Sequence, residues 1–334
     1  MDVKDTPTRL NKIGPISFCV MCVVKYTLLI MHEDDIRYCF NYIETDWKNA
    51  KRHEERQIMF ECADFSRRLI IISASFAFGG VIFYRLAVPL ISPKIVMGNL
   101  TFRPIAYPIP KFIVDTRQSP WNEIMIGLQS FCGFAMSAIT VGCCSMLTIS
   151  ALHACGQLKI LMTCLNYLVA GRSDESDDVD KRLTNIVKRH VRVLSFIAFI
   201  ENFLQGISFT ELLGCTMNMC MLGYYVVTGW KNDSTIRTVT YITLIISFIY
   251  NIFIFCYIGE ILAEECKKVA EVTYTIDWYR LKGRKSLSLV LIIAMSSSSN
   301  RLTAGKFIEL SISSFGDVVK TSFAYLNMLR TVTS

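Results

Sequence analysis

Lys306, Glu309, Asp317 and Lys320 stand in the largely apolar run from Thr303 to Val332. A charge held in hydrocarbon is costly, so such groups face water or one another. Ser313, Asp317, Thr321, Ala324, Met328 and Val332 recur at intervals of three or four and share one helix face. Polar at its start and apolar towards the outer end, that face suits an aqueous conduit closed by a hydrophobic constriction. The competing reading is that Asp317 and Lys320, three apart, pair inside a buried helix–helix contact.

A second set of residues has the chemistry of a small-molecule pocket. Met21 and Val24, then Gly80, Phe83 and Tyr84, then Met136 and Thr140, then Tyr241 and Leu244 fall in the outer halves of four apolar windows. Apolar and aromatic walls with a few hydroxyls suit a small volatile molecule, although each residue taken singly is as compatible with packing. Catalytic signals are weak. The histidines, His32, His53, His153 and His190, are scattered, and none has a partner at metal-binding spacing. His153-Ala154-Cys155 reads as structural, no glycine loop cradles a phosphate, and no nucleophile has a base. The expectation is a protein without enzymatic activity, cofactor or metal.

These residues need elements to hold them, and composition says which kind. With 334 residues, 52% hydrophobic content and a mean hydropathy of +0.39, the chain reads as an all-α, polytopic transmembrane protein. A spanning helix needs roughly 20 mostly apolar residues. Six windows qualify: 13–31, 69–90, 124–152, 207–228, 238–259 and 303–332. The first contains Lys25, whereas 124–152 and 238–259 contain no Asp, Glu, Lys or Arg. Leu287 to Met295 is about half the length needed to cross and reads as a helix buried in protein or a re-entrant piece.

Loop charges set the orientation. Lys and Arg number seven in each of the segments 31–68, 153–192 and 260–301, against six in 91–120 and 229–237 combined. The positive-inside bias therefore places loops 32–68, 153–206 and 260–302 in the cytosol and 91–120 and 229–237 outside. The net charge of +7 follows this distribution, and no basic run interleaved with aromatics points to nucleic acid. Two glycosylation sequons, at Asn99 and Asn232, fall in the outer loops; Asn232 lies against a membrane boundary, which leaves Asn99 as the usable acceptor. None of the thirteen cysteines lies in an outer loop, so a disulfide framework is not expected.

Six spans leave both chain ends outside, yet Lys4, Arg9 and Lys12 precede the first span against the charge bias. The expectation is a further span ahead of the first. Pro93, Pro104, Pro108 and Pro110 predict an extended outer lid over 91–120, and the segment 173–180 reads as a solvated cytosolic loop. The polar helical pattern over 181–211, with 261–270 and 279–295, predicts a cytosolic helical base.

The run Leu302-Thr-Ala-Gly-Lys306-Phe-Ile-Glu-Leu310, followed by Ser314-Phe-Gly-Asp-Val-Val-Lys-Thr-Ser-Phe-Ala-Tyr325-Leu-Asn-Met-Leu-Arg330, resembles the carboxy-terminal signature of insect odorant receptors. His153-Ala-Cys-Gly-Gln157, Tyr257-Ile-Gly-Glu260 and Trp278-Tyr279 occur in the family's order. The resemblance covers nearly the whole chain from about Lys12 and is similar to a hymenopteran-type tuning receptor. It implies a seven-span fold with a cytosolic amino terminus and an external carboxy terminus, of which the last six spans are present here. It also implies a tuning subunit that joins the odorant co-receptor in a hetero-tetrameric, odorant-gated, non-selective cation channel. The final helices would surround the pore, with a gate at Met328 and Val332, in the plasma membrane of olfactory sensory neurons. Carried over in the same way, Gly80 and Tyr84 stand where the family's pocket has a small and an aromatic residue. A gustatory-type channel and a G-protein-coupled receptor are the alternatives. The gustatory signature places Gln-Phe after Thr-Tyr, whereas Tyr325 here leads to Asn327 and Arg330.

Overall fold

A computed structural model describes residues 6–87, 95–97, 100–103, 105, 116–171, 178–229, 235–281, 285–297 and 301–333. In chain order the helices are α1 (Thr6–Met31), α2 (Glu33–Asn49), α3 (His53–Val81, running into a π-helical turn at Ile82–Ala87), α4 (Trp121–Asn166), α5 (Val179–Gly229), α6 (Thr235–Thr275), α7 (Lys285–Ser297) and α8 (Ile312–Thr333). Two small antiparallel hairpins interrupt them: β1 (Ile95–Met97) with β2 (Leu100–Phe102), and β3 (Thr303–Ala304) with β4 (Ile308–Glu309).

α4, α5 and α6, at 46, 51 and 41 residues, are each long and apolar enough to cross a membrane. α1 and α2 form a fourth candidate, bent by 65° at His32, whose φ of −107° and ψ of 26° leave the helical region. Glu33, Asp34 and Asp35 then occupy the first turn of α2, where carboxylates are favoured by the helix dipole. The window at 69–90 is helical up to Ala87, in α3 and its π-helical turn, and the window at 303–332 is helical from Ile312, in α8. By length and composition alone neither qualifies, because the α-helical part of α3 ends at Val81 and α8 carries Asp317 and Lys320.

α4 is the central post. From Cys143 to Leu165 most of its residues are buried, packed among α3, α5 and α6, and its lower half forms one apolar core with Val193, Ile197, Ile200, Phe203 and Leu262. The segment after β2 meets this post at Asn122, and most of the expected lid over 91–120 lies outside the described residues. Its side-chain amide donates to the carbonyls of Arg103 and Thr116, both at 3.0 Å, and its oxygen accepts the Arg103 N–H at 3.2 Å. Asn99 lies outside the described residues.

One expected element is overturned. The run from Thr303 to Val332 is not a single helix: α8 starts at Ile312, and residues before it form the β3–β4 hairpin. Gly305 and Lys306 take φ of 63° and 64°, a left-handed pair that no α-helix continues through. Three contacts dock the hairpin on the bundle. The Gly305 N–H donates to the Gln205 carbonyl at 3.0 Å, Thr303 donates to Glu201 at 2.6 Å, and Leu310 lies directly on Gly259. Lys306 and Glu309 therefore leave the helix, and Glu309 pairs with Arg301 instead. α8 is started by Ser311, whose hydroxyl accepts the N–H of Ser314 at 3.1 Å, an N-cap bond, while Glu260 accepts the N–H of Ile312 at 3.1 Å.

Below the spans, α7 is tied to α5 by a hydrogen bond of 2.9 Å between the imidazole of His190 and the hydroxyl of Ser296. Burial lowers the pKa of His190 from 6.5, so the neutral ring belongs to the folded state. The unfolded chain takes up that proton first. This contribution to stability is complete above about pH 6.5 and is lost as pH falls towards the folded-state pKa. Melting of the purified protein at pH 7.5 and 5.5 should show the loss at the lower pH, and His190→Gln should reduce it. A second expectation concerns Gly259. A methyl group there meets the Leu310 backbone, so Gly259→Ala should cost ~1–3 kcal/mol and lower the melting temperature. Gly79→Ala, with open space around it, should not.

Candidate functional site

The centre of the spans holds charge. Lys25 on α1 donates to Glu211 on α5 at 2.8 Å and to the hydroxyl of Thr140 on α4 at 2.8 Å. Both charged side chains are fully buried. The second carboxylate oxygen of Glu211 accepts from the Cys215 thiol at 3.2 Å and from the amide of Asn251 on α6. Four helices are thus joined at one polar knot, each by a residue inside an otherwise apolar window. The signal for it was in the sequence: ionisable groups within spans pair with one another, and Lys25 and Glu211 stand within two such windows. Sequence reasoning noticed Lys25 and did not find its partner.

Above and beside the knot, α3, α4 and α6 meet through Ser137, which donates to the Ala77 carbonyl at 3.3 Å, and through the stacked rings of Phe76 and Tyr250, 4.6 Å apart. Gly80 is buried against Leu244, 3.6 Å from where a Cβ would sit. Thr140, one turn below Met136, reaches the knot and also donates to the Met136 carbonyl at 3.1 Å. Gly80 and Leu244 therefore come together, and Thr140 is fixed by Lys25. Phe83 lies half-buried in the π-helical turn, and the Tyr84 side chain lies outside the described residues.

Three of the expected pocket residues point elsewhere. Met21 is packed tightly on Gly214 of α5, where a Cβ would strike its thioether. Val24 is 40% exposed. Tyr241 joins the rings of Tyr224 and Tyr225 in a separate aromatic cluster that also holds Leu326 and Leu329 of α8.

α8 has two distinct faces. Phe315, Val318, Ser322 and Leu326, spaced three or four apart, turn towards the chain: Phe315 packs edge-on to Phe253 at 5.6 Å, Val318 joins Cys215 and Ile252, and Leu326 closes on Gly223. Asp317, Thr321, Ala324 and Met328 are all exposed, Met328 at 65%. The Asp317–Lys320 pair does form, at 3.7 Å, but both side chains are solvent-exposed, so it is no buried contact within this chain. The Val332 side chain lies outside the described residues.

A second polar clasp joins α2, α4 and α5. Asp46 of α2 accepts from His153 of α4 at 3.0 Å and from Arg192 of α5, and Arg192 lies over the ring of Tyr42 at 4.7 Å. Tyr42 stacks on Phe196 at 4.0 Å. Burial, reinforced by the Asp46 carboxylate, pushes the Tyr42 phenol up to about 12 and keeps it neutral. His153 is thus structural, as its position at the span boundary suggests. Among the described residues, no group of three or more His, Cys, Asp or Glu is placed to hold a metal ion.

Removing one member of the buried pair leaves the other charge uncompensated. Lys25→Met or Glu211→Leu alone should destabilise the protein by ~3–5 kcal/mol, and the double replacement should recover most of that loss. Thermal melting of the two single variants and the double variant measures the difference.

Comparison with known proteins places this architecture. The 7tm odorant receptor family model matches residues 7–323. Odorant receptor 13a of Drosophila melanogaster is 29% identical over 193 residues, 54% of this chain and 46% of its own length. Odorant receptor 10 of Aedes albopictus is 24% identical over 220 residues, 66% of this chain and 58% of its own. The chain spans about half the length of the curated relatives it matches. The insect olfactory receptor OR5 from Machilis hrabei, solved in complex with eugenol, superposes with a TM-score of 0.80 at 17% identity. That match covers 97% of this chain and 81% of the other, and shows a shared fold. With a multi-pass helical architecture and a family match over nearly all its residues, the chain belongs to the 7tm odorant receptor family.

Proposed function

We propose that this chain is the tuning subunit of an odorant-gated, non-selective cation channel, assembled with the odorant co-receptor in the plasma membrane of olfactory sensory neurons. One observation carries the reading: α8 packs one face on its own chain and leaves Asp317, Thr321, Ala324 and Met328 exposed. A face that is polar at its cytosolic end and apolar near its outer end is suited to water and ions in a ring of subunits. Met328 and Val332 form the hydrophobic gate in this reading. The small volatile ligand sits among α3, α4 and α6, against Gly80, Phe83, Met136, Thr140 and Leu244, with Tyr84 in the adjoining turn. The Lys25–Glu211 knot is its floor. Met21, Val24 and Tyr241 act through packing. Asn99 carries a glycan on the outer lid. No catalytic step, cofactor or metal is assigned.

Co-expression with the co-receptor should give cation currents evoked by a panel of small volatiles that includes eugenol. Met328→Ala should raise the current in the absence of odorant, and Gly80→Leu should abolish or shift the odorant response while leaving surface expression intact. A tag after Ser334 should bind antibody on unpermeabilised cells. Silence of surface-expressed complexes across the panel, or a tag reached only after permeabilisation, would contradict the reading, and the second result would favour a G-protein-coupled topology.

A further inference from the structure

α8 packs on α5 and α6, whereas the proposed ligand position lies among α3, α4 and α6. A ligand that displaces α4 therefore reaches α8 through a neighbouring helix. The polar knot supplies such a connection. At its α4 end stands Thr140, whose hydroxyl gives its hydrogen to the Met136 carbonyl at 3.1 Å and receives the Lys25 ammonium on its oxygen at 2.8 Å. Lys25 continues to Glu211 of α5 at 2.8 Å. The other carboxylate oxygen of Glu211 accepts from Cys215, one turn along α5, and from Asn251 of α6.

The far end of the knot lies at the seat of α8. Cys215 forms a cluster with Met219, Ile252 and Cys256, and Phe315 and Val318 of α8 pack against that cluster. Asn251 directly precedes Ile252 in the chain. Contacts thus run without a break from Thr140 on α4, through α1 and α5, to Val318 on α8.

This route is stiff because it is buried. Neither Lys25 nor Glu211 has any exposed side-chain surface, so pulling them apart leaves two uncompensated charges, and losing Thr140 strips a buried ammonium of an acceptor. Apolar contacts between α4, α6 and α8 can slide by comparison. A shift of α4 at Thr140 is carried to Glu211, and from there to the groups that Val318 rests on.

We propose that the knot regulates the channel: Lys25 and Glu211 transmit occupation of the ligand pocket to α8, with Cys215 and Asn251 as the positioning residues at the α8 end. The inference rests on the channel reading above and adds the route by which the pocket controls the pore.

The chain and its variants are co-expressed with the co-receptor and challenged with the panel of small volatiles that includes eugenol. The readout is the ratio of the largest saturating evoked current to the resting current, which a loss of surface protein alone does not alter; surface biotinylation measures expression separately. Replacing Lys25→Met together with Glu211→Leu should lower that ratio roughly tenfold, within the usual range of coupling between sites. Cys215→Ala should lower it about fivefold, and Cys215→Ser, which keeps a donor for Glu211, should respond like the wild type. In the double-replacement background Cys215→Ala should have no further effect. If the double replacement does not reach the surface, the two Cys215 variants decide. A wild-type ratio in the double replacement or in Cys215→Ala, equal losses in Cys215→Ala and Cys215→Ser, or a Cys215→Ala effect that persists without the charges overturns the inference and leaves the channel reading standing. A wild type that is silent across the panel overturns the channel reading, and the role of the knot in gating with it.

Discussion

The structure depends on a pair of charges closed off from solvent. Lys25 and Glu211 are both completely buried at the level of the spans, where an isolated ion would cost several kcal/mol even after relaxation. The pair is tolerable only because every neighbour is polar in the right sense: Thr140 takes a second ammonium hydrogen, and Cys215 and Asn251 supply hydrogens to the second carboxylate oxygen. Each of these side chains comes from a different part of the bundle. The knot therefore fixes the relative depth and rotation of α1, α4, α5 and α6 in a way that apolar packing, which tolerates sliding, does not.

Other features follow from that fixed frame. With α5 and α6 locked, Gly259 and Gly223 present shallow places for Leu310 and Leu326, and the β3–β4 hairpin and α8 settle into them. The same seating decides which side of α8 remains uncovered. A second clasp at Asp46, His153 and Arg192 ties α2, α4 and α5, so the bundle is held by two separate polar contacts. In the proposed channel this separation lets a ligand between α3, α4 and α6 strain the upper knot while the cytosolic base stays assembled.

Much of this was legible in the residues. Each of the six apolar windows contains helix, although only part of 303–332 is helical. The exposed face of α8 followed from periodicity, since a helix places residues three and four apart on one side. What failed were features set by backbone conformation or by distant partners. Thr303 to Ser311 reads as apolar and helical, yet left-handed Gly305 and Lys306 turn it into a hairpin. Pocket membership also escaped the sequence: Met21 and Val24 are one helical turn apart on α1, yet Met21 fills the space that a side chain at Gly214 would take and Val24 is left 40% exposed. The partner of Lys25 lies 186 residues away, and no local pattern announces that distance.

The claim on which the functional account turns is that the uncovered side of α8 meets water in an assembled pore. Single cysteines placed in turn from Ser313 to Met328, in subunits co-expressed with the co-receptor, can be tested with a charged, water-soluble thiol reagent during recording. The account predicts current block at positions 313, 317, 321, 324 and 328 and little effect at 315, 318, 322 and 326. Block that followed the second set, or no periodicity at all, would contradict it.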